Sequence, residues 1–274
     1  MAITAADVSK LRKMTGAGMM DCKNALEESN GDFDKAVEII RKRGQLVASK
    51  RADREAGEGV VLAKTNANAT LGAMIVLNCE TDFVAKNDNF INFAQSILDA
   101  AVENKPADLE ALKQIQIDGR AIGERVTEQV GIIGEKLDLS YYAKIEAGQV
   151  VTYIHPGNKL ATLVGLSKAA DIKIGRDIAM QVAAMNPVAV DKADVPADII
   201  EKEKEIGREQ ARNEGKAENM LDRIAEGKLN KFFKESTLLN QDFTKDATKT
   251  VRQVLQEADK DLKVTGFVRY TLNQ

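Results

Sequence analysis

The chain opens with apolar positions at helical spacing. In "TAADVSKLRKM", Thr4 stands as an N-cap with Asp7 three residues on, the layout of a partial capping box. "MMDCKNALEES" carries an apolar stripe of Met20, Ala25 and Leu26, and "NGD" stops it. "FDKAVEIIRKRG" sets Phe33, Ala36, Val37 and Ile40 on one face, with Gly44 as its stop. The spacing predicts a minimal three-helix bundle, followed by a charged linker in "ASKRADREAGEG".

From Val60 the period changes. "GVVLAKT" and "LGAMIVLNCE" predict strands joined through the turn cluster "NANAT". "NDNFINFAQSILDAAVEN" returns to helical spacing through Phe90, Phe93, Ala94, Ile97, Leu98 and Ala101, and "DLEALKQIQ" and "AIGERVTEQVGIIG" predict two more helices. "SYYAKIEA", "QVVTYIHP" and "KLATLVGLSKA" predict strands. The stretch "LATLVGLSKAADIKIGRDIAMQVAAMNPVAV" repeats the plan of "LGAMIVLNCETDFVAKNDNFINFAQSILDAAV": hairpin strand, turn, amphipathic helix. Two charged helices then flank Asn213 to Lys216. Their narrow apolar seam of Ile199, Ile206, Leu221, Ile224 and Leu229 suits a projecting antiparallel hairpin and would also permit self-association. "ATKTVRQVLQEADKDL" predicts a last helix, and "TGFVRYTL" a strand able to return to the second sheet.

The expected fold class is α+β, with four spans. Residues 1–55 form the three-helix bundle and linker, and 56–140 a first α+β core unit. Residues 141–190 and 234–274 form a second, similar unit, and 191–233 the inserted helical hairpin.

Composition narrows the function. The 274 residues are 44% hydrophobic and 30% charged, with 4% aromatic and no Trp, so cores are built from small aliphatic side chains. A net charge of -3 argues against nucleic acid as the main partner. The basic run from Arg41 to Arg51 reads as a solvated helix end. Cys22 and Cys79 form no disulfide framework, the start "MAITAADVSK" has no apolar leader, and the apolar runs are too short to span a bilayer. A cytoplasmic protein without a membrane partner is expected.

Candidate chemistry is sparse. "TGAGMMDC" looks like a phosphate loop, but it lies between helices and lacks the spacing of either nucleotide motif. It reads instead as a helical corner presenting Met19 and Met20, with flexible apolar side chains suited to contact. His155 is the only histidine, so neither a metal site nor a His-based catalytic pair is expected, and no cofactor is implied. Asp82-Phe83 is the anomaly. An acid and a large apolar ring follow directly on a strand end, where the ring either folds under the next helix or is presented to a partner.

"LRKMTGAGMMDCKNAL", "NGDFDKAVEIIRKRG" and "NCETDFVAKNDNF" strongly resemble bacterial elongation factor Ts, and the resemblance continues through "GEKLDLSYYAKIEAGQVVTYIHPGNKLATLVGL", "DIAMQVAAMNP" and "VTGFVRY". It implies a guanine nucleotide exchange factor that binds elongation factor Tu, GDP-bound and nucleotide-free, and acts without catalytic residues of its own. It further implies that the bundle resembles a ubiquitin-associated domain and docks on the G domain of Tu, where Leu11, Met19 and Met20 would contribute an apolar patch. Thr81, Asp82, Phe83 and Val84 would act near the magnesium and phosphate site of Tu. Ile133 and Gly134 would contact the G domain, and His155 would lie at the contact surface. Some members continue into a C-terminal helical module, whereas this chain ends four residues after Tyr270. Two rival readings are an adaptor for ubiquitin-like folds and an enzyme using Asp82 and His155.

Overall fold

In a computed structural model, residues 3–272 are described; the outer ends of the first and last expected spans, 1–2 and 273–274, lie outside the described residues. The bundle consists of α1 (Ala5–Thr15), α2 (Met19–Glu28) and α3 (Phe33–Lys50). Thr4 and Asp7 form a complete capping box on α1, and Gly16 closes it in the left-handed region at φ 75°. Val8, Leu11, Cys22, Ala25, Leu26 and Ala36 fill the bundle's small core.

Gly44 does not end the third helix. α3 runs on to Lys50, through the first part of the expected linker, because Gly44 is buried against Gly131 of a later helix. Met20 also departs from its expected stripe. It is 65% exposed, and Cys22 takes the inward position.

The first sheet pairs β1 (Glu58–Thr65) with β2 (Leu71–Cys79), and β2 with β5 (Asp138–Glu146), all antiparallel. Between β2 and β5 lie α4 (Asp82–Ala85), α5 (Asp88–Asn104), α6 (Leu109–Gln114), the small hairpin of β3 (Gln116–Ile117) and β4 (Arg120–Ala121), and α7 (Ile122–Ile133). β5 belongs to the first sheet, so the boundary expected after residue 140 falls inside a strand. The second sheet pairs β6 (Gln149–Ile154) with β7 (Leu160–Leu166), and β7 with the returning β10 (Val264–Thr271). Between β7 and β10 come α8 (Ile172–Met185), α9 (Ala197–Asn213), α10 (Leu221–Ser236), β8 (Asp242–Phe243), β9 (Asp246–Thr250) and α11 (Val251–Ala258). The segment "ATKT", expected as helix, is strand β9 instead. Thr250 then caps α11, with Gln253 completing a capping box.

Both sheets follow one plan: hairpin, helix, insertion, and a third strand laid on the hairpin's second strand. They pack face to face. Val61, Met74, Val76, Val150, Ala161 and Leu163 meet between them, and Gly72 lies so close to Val150 that a Cβ there would stand 2.6 Å from the valine Cγ1. The outer face of the first sheet is covered by a core including Phe90, Ile97, Leu98, Leu112 and Ile122, and that of the second by one including Ile178, Val182, Val251 and Leu255. The central strand β2 is therefore buried on both faces, and from Leu71 to Leu77 it reads as an apolar run with no alternation.

α9 and α10 form the antiparallel hairpin, turning at Gly215 (φ 75°). Its seam differs from expectation. Gly207, Ala211, Leu221, Ala225 and Leu229 are buried, while Ile206 is 36% exposed. A Cβ on Gly207 would lie 3.1 Å from Ala225 Cα. At this crossing the helices approach too closely for a large side chain, and Ile206 is displaced to the flank.

Candidate functional site

β2 ends at Cys79, and the chain makes a single helical turn, α4, before α5 begins. Thr81 caps that turn by accepting from the Val84 amide at 3.4 Å. The cap is itself anchored. Thr81 donates its backbone N–H to Glu135 Oε2 at 3.0 Å and its hydroxyl to Oε1 at 2.7 Å. Hydrogen bonds to a charged carboxylate contribute about 1.5–3 kcal/mol each, enough to hold a one-turn helix that has no stability alone.

The next acid back, Glu80, accepts from the Lys136 amide at 2.6 Å and from Arg51 at 2.7 Å. The Lys136 amide, and after it the Arg51 guanidinium, hold the Glu80 carboxyl below its ordinary value. Lys136 reaches on to the carbonyls of Ala52 and Arg54 at 2.7 and 2.8 Å. The Cys79 thiol donates to the Thr81 carbonyl at 3.1 Å, and burial, with the Glu135 charge adding to it, pushes its pKa up to about 12. Cys79 is thus a protonated structural donor at neutral pH.

On this platform Phe83 is 83% exposed. The ring does not fold beneath α5; Phe90 takes the buried place there. Asp82 pairs with Lys86 at 2.6 Å, and this bond, with weaker attraction from Lys159, keeps its carboxyl below the usual range. Lys159 also pairs with Glu58 at 2.8 Å, and the Val61 amide donates to the Asn158 carbonyl at 2.7 Å. The turn after β6 is therefore docked against β1. His155 sits exposed at the start of that turn, with Nδ1 2.9 Å from the Tyr153 hydroxyl. Asp82 and His155 each have their own partner, and no hydrogen bond among the described residues joins them.

α7 joins the α4 turn to the bundle's corner. Ile133 is half-buried and ends the helix, and Gly134 caps it in the left-handed region at φ 79°. Ile133, Ile132, Gln129, Val84 and Phe83 line one groove of about 350 Å³. Gln129 and Ile132 also line a second groove of about 470 Å³, shared with Met14, Thr15 and Gly16 at the bundle's corner. Gly16 is close enough that a Cβ there would meet Ile132 Cδ1 at 3.6 Å. One continuous surface thus runs from the corner to Phe83.

Met19 and Met20 are both exposed on the corner, at 47% and 65%. Leu11 is fully buried in the bundle core, so it supports the corner from within and offers nothing to a partner. The sequence alone points neither to Glu135 nor to the bracing role of Glu80, an acid it offers only as a candidate for catalysis. The run "GEK" carried Glu135 in plain view, but its tie to Thr81 spans 54 residues. Among the described residues no group of three or more His, Cys, Asp or Glu could hold a metal ion, and no helix is long and apolar enough to cross a membrane.

The family model described as Elongation factor TS matches residues 80–274. Elongation factor Ts of Porphyromonas gingivalis is 54% identical over 274 residues, covering 100% of this chain and 99% of that protein. Elongation factor Ts of Amoebophilus asiaticus is 56% identical over 272 residues, covering 98% of each chain. The Flavobacterium psychrophilum protein of the same name is 49% identical, again over 98% of each. The class is that of nucleotide exchange factors serving translation elongation. The chain belongs to the elongation factor Ts family.

Proposed function

We propose that the protein exchanges nucleotide on elongation factor Tu by binding alone, with the α4 turn working at the magnesium and phosphate site of that GTPase. The observation that carries this reading is Phe83, a large apolar ring left 83% exposed on a turn whose cap is fixed by Glu135. An exposed ring on a rigid mount can displace packed side chains of a partner. A ring on a mobile loop would lose that effect to the entropy of ordering the loop.

Asp82 stands beside it as a charge already committed to Lys86. On docking, that pair can re-form with donors or cations of the partner. The corner with Met19 and Met20 and the groove along Ile132 and Ile133 supply binding area, and the exposed His155 turn extends the surface beside β1.

The energetics require no bond making by this chain. If docking weakens the hold on nucleotide, linkage requires nucleotide to weaken docking equally. Each 1.4 kcal/mol of such coupling changes either affinity about tenfold. A ternary complex with strong coupling loses either ligand quickly, so exchange runs in both directions and the supply of GTP over GDP sets its net course. The test is release of a fluorescent GDP from Tu in a stopped-flow mixer, with native protein and with Phe83→Ala at saturating concentration. Slower release with the variant supports the wedge. Equal saturated rates would remove Phe83 from the step.

A further inference from the structure

The joint between the N-terminal bundle and the core is built for close, fixed contact. α3 crosses α7 at Gly44 and Gly131, where a Cβ on Gly131 would lie 2.3 Å from Gly44 Cα. Only two glycines allow backbones to approach so nearly. One turn before Gly131, Glu128 pairs with Arg41 of α3 at 2.7 Å and also with Arg120 of the small β3–β4 hairpin. Glu128 is largely buried between them, with 13% of its side chain exposed. At the far end of α3, Arg51 pairs with Glu80, directly before the Thr81 cap. The charged stretch that resembles a linker in sequence is thus partly the end of a continuous helix, fastened at a glycine crossing and at two ion-pair nodes.

From this geometry we infer that Gly44, Gly131 and Glu128 are positioning residues. They hold the Met19–Met20 corner and Phe83 at one fixed spacing, so that the two contacts engage a partner as a single rigid body. The inference rests on the proposed role of Phe83 and the corner as joint contacts. With a rigid joint, the second contact follows the first at high effective concentration and with little further ordering cost. With a free tether, much of that advantage is lost. The crossing also explains why glycine stands inside two helices, where it is otherwise disfavoured.

The test uses the full chain with Gly131→Ala. Alanine favours helix α7 itself but cannot fit against Gly44, so the substitution loosens docking while leaving helix formation intact. Glu128→Gln is the second variant, which keeps shape and removes charge. Gly227→Ala is the control, since nothing lies within 4 Å of a Cβ there. Spin labels on Asp34→Cys and Glu103→Cys, both exposed positions, report the bundle-to-core distance by pulsed electron resonance. The native chain and Gly227→Ala should give one narrow distance, and Gly131→Ala a broad or shifted one.

In GDP release from Tu, the concentration for half-maximal rate should rise at least ~10-fold for Gly131→Ala, with Glu128→Gln intermediate. Met20→Ala should cost less in the Gly131→Ala background than in the native one. A broad distance distribution in the native chain, or native distances and native exchange curves for both Gly131→Ala and Glu128→Gln, would overturn the inference. If native protein fails to release GDP, the functional reading falls, while the distance measurement still decides whether the joint is rigid. Should Gly131→Ala lose helicity outright, Glu128→Gln carries the same comparison.

Discussion

At the scale of single residues, exposure settles the place of Phe83, which the sequence leaves open between core and surface. Phe83 in α4 and Phe90 in α5 lie seven residues apart, yet Phe83 is 83% exposed and Phe90 is 1% exposed. Phe83→Ala is therefore expected to melt close to the native temperature, while Phe90→Ala should lose about 3–5 kcal/mol in chemical denaturation. If the ring helps to displace the magnesium ion of Tu, the exchange defect of Phe83→Ala should also shrink when that ion is chelated away.

Glu80 gives a second residue-scale test. Its folded-state pKa is depressed by the Lys136 amide and Arg51, so its stabilisation is present above the ordinary value of 4.5 and is lost as pH falls through the lower folded value. Glu80→Gln should melt below the native chain at pH 7, where that stabilisation is fully present, and the gap should narrow as pH falls through the acid window. An unchanged acid profile would show that the Arg51–Glu80–Lys136 node holds nothing in solution.

At the scale of elements, local signals were legible and long-range ones were not. Caps and periodicity in the sequence place the helices well: Thr4 with Asp7, and the Phe90 to Ala101 stripe, stand where their chemistry predicts. Gly44 misleads because glycine is the usual mark of a helix end, and its reason here is a partner 87 positions later. Ile206 misleads for a related cause. An apolar residue at seam spacing is expected inside, but the close approach at Gly207 and Ala225 leaves room only for small side chains. The same narrow seam and the charged flanks make the hairpin a projection joined to the core at its base, where the Leu238 amide meets the Ala189 carbonyl at 2.9 Å and Arg252 pairs with Asp191 at 2.6 Å. Replacing the tip, residues 213–216, with a short turn should leave both core stability and GDP release largely intact. Collapse of exchange in a chain that stays folded would make the hairpin a principal contact.

For the whole molecule, the candidate site is an assembly drawn from three distant stretches: the corner at 14–20, the turn at 80–86 and the end of α7 at 129–136. Each stretch was recognisable in sequence, but their joining at Gln129 and Ile132 depends on tertiary packing and was not. This division predicts two kinds of variant. Met20→Ala, at the periphery, should raise the concentration needed for half-maximal exchange and leave the saturated rate nearly unchanged. Phe83→Ala should lower the saturated rate itself. If both substitutions move the same parameter, the surface does not divide into binding and displacing parts.

The central claim, that a presented ring on a fixed turn loosens nucleotide in a partner GTPase, is tested most directly by stopped-flow release of fluorescent GDP from elongation factor Tu. Native protein is predicted to accelerate release to a saturating rate, and Phe83→Ala, folded and at saturating concentration, to reach a clearly lower one. No acceleration by the native chain, or an identical saturated rate for the variant, would contradict it.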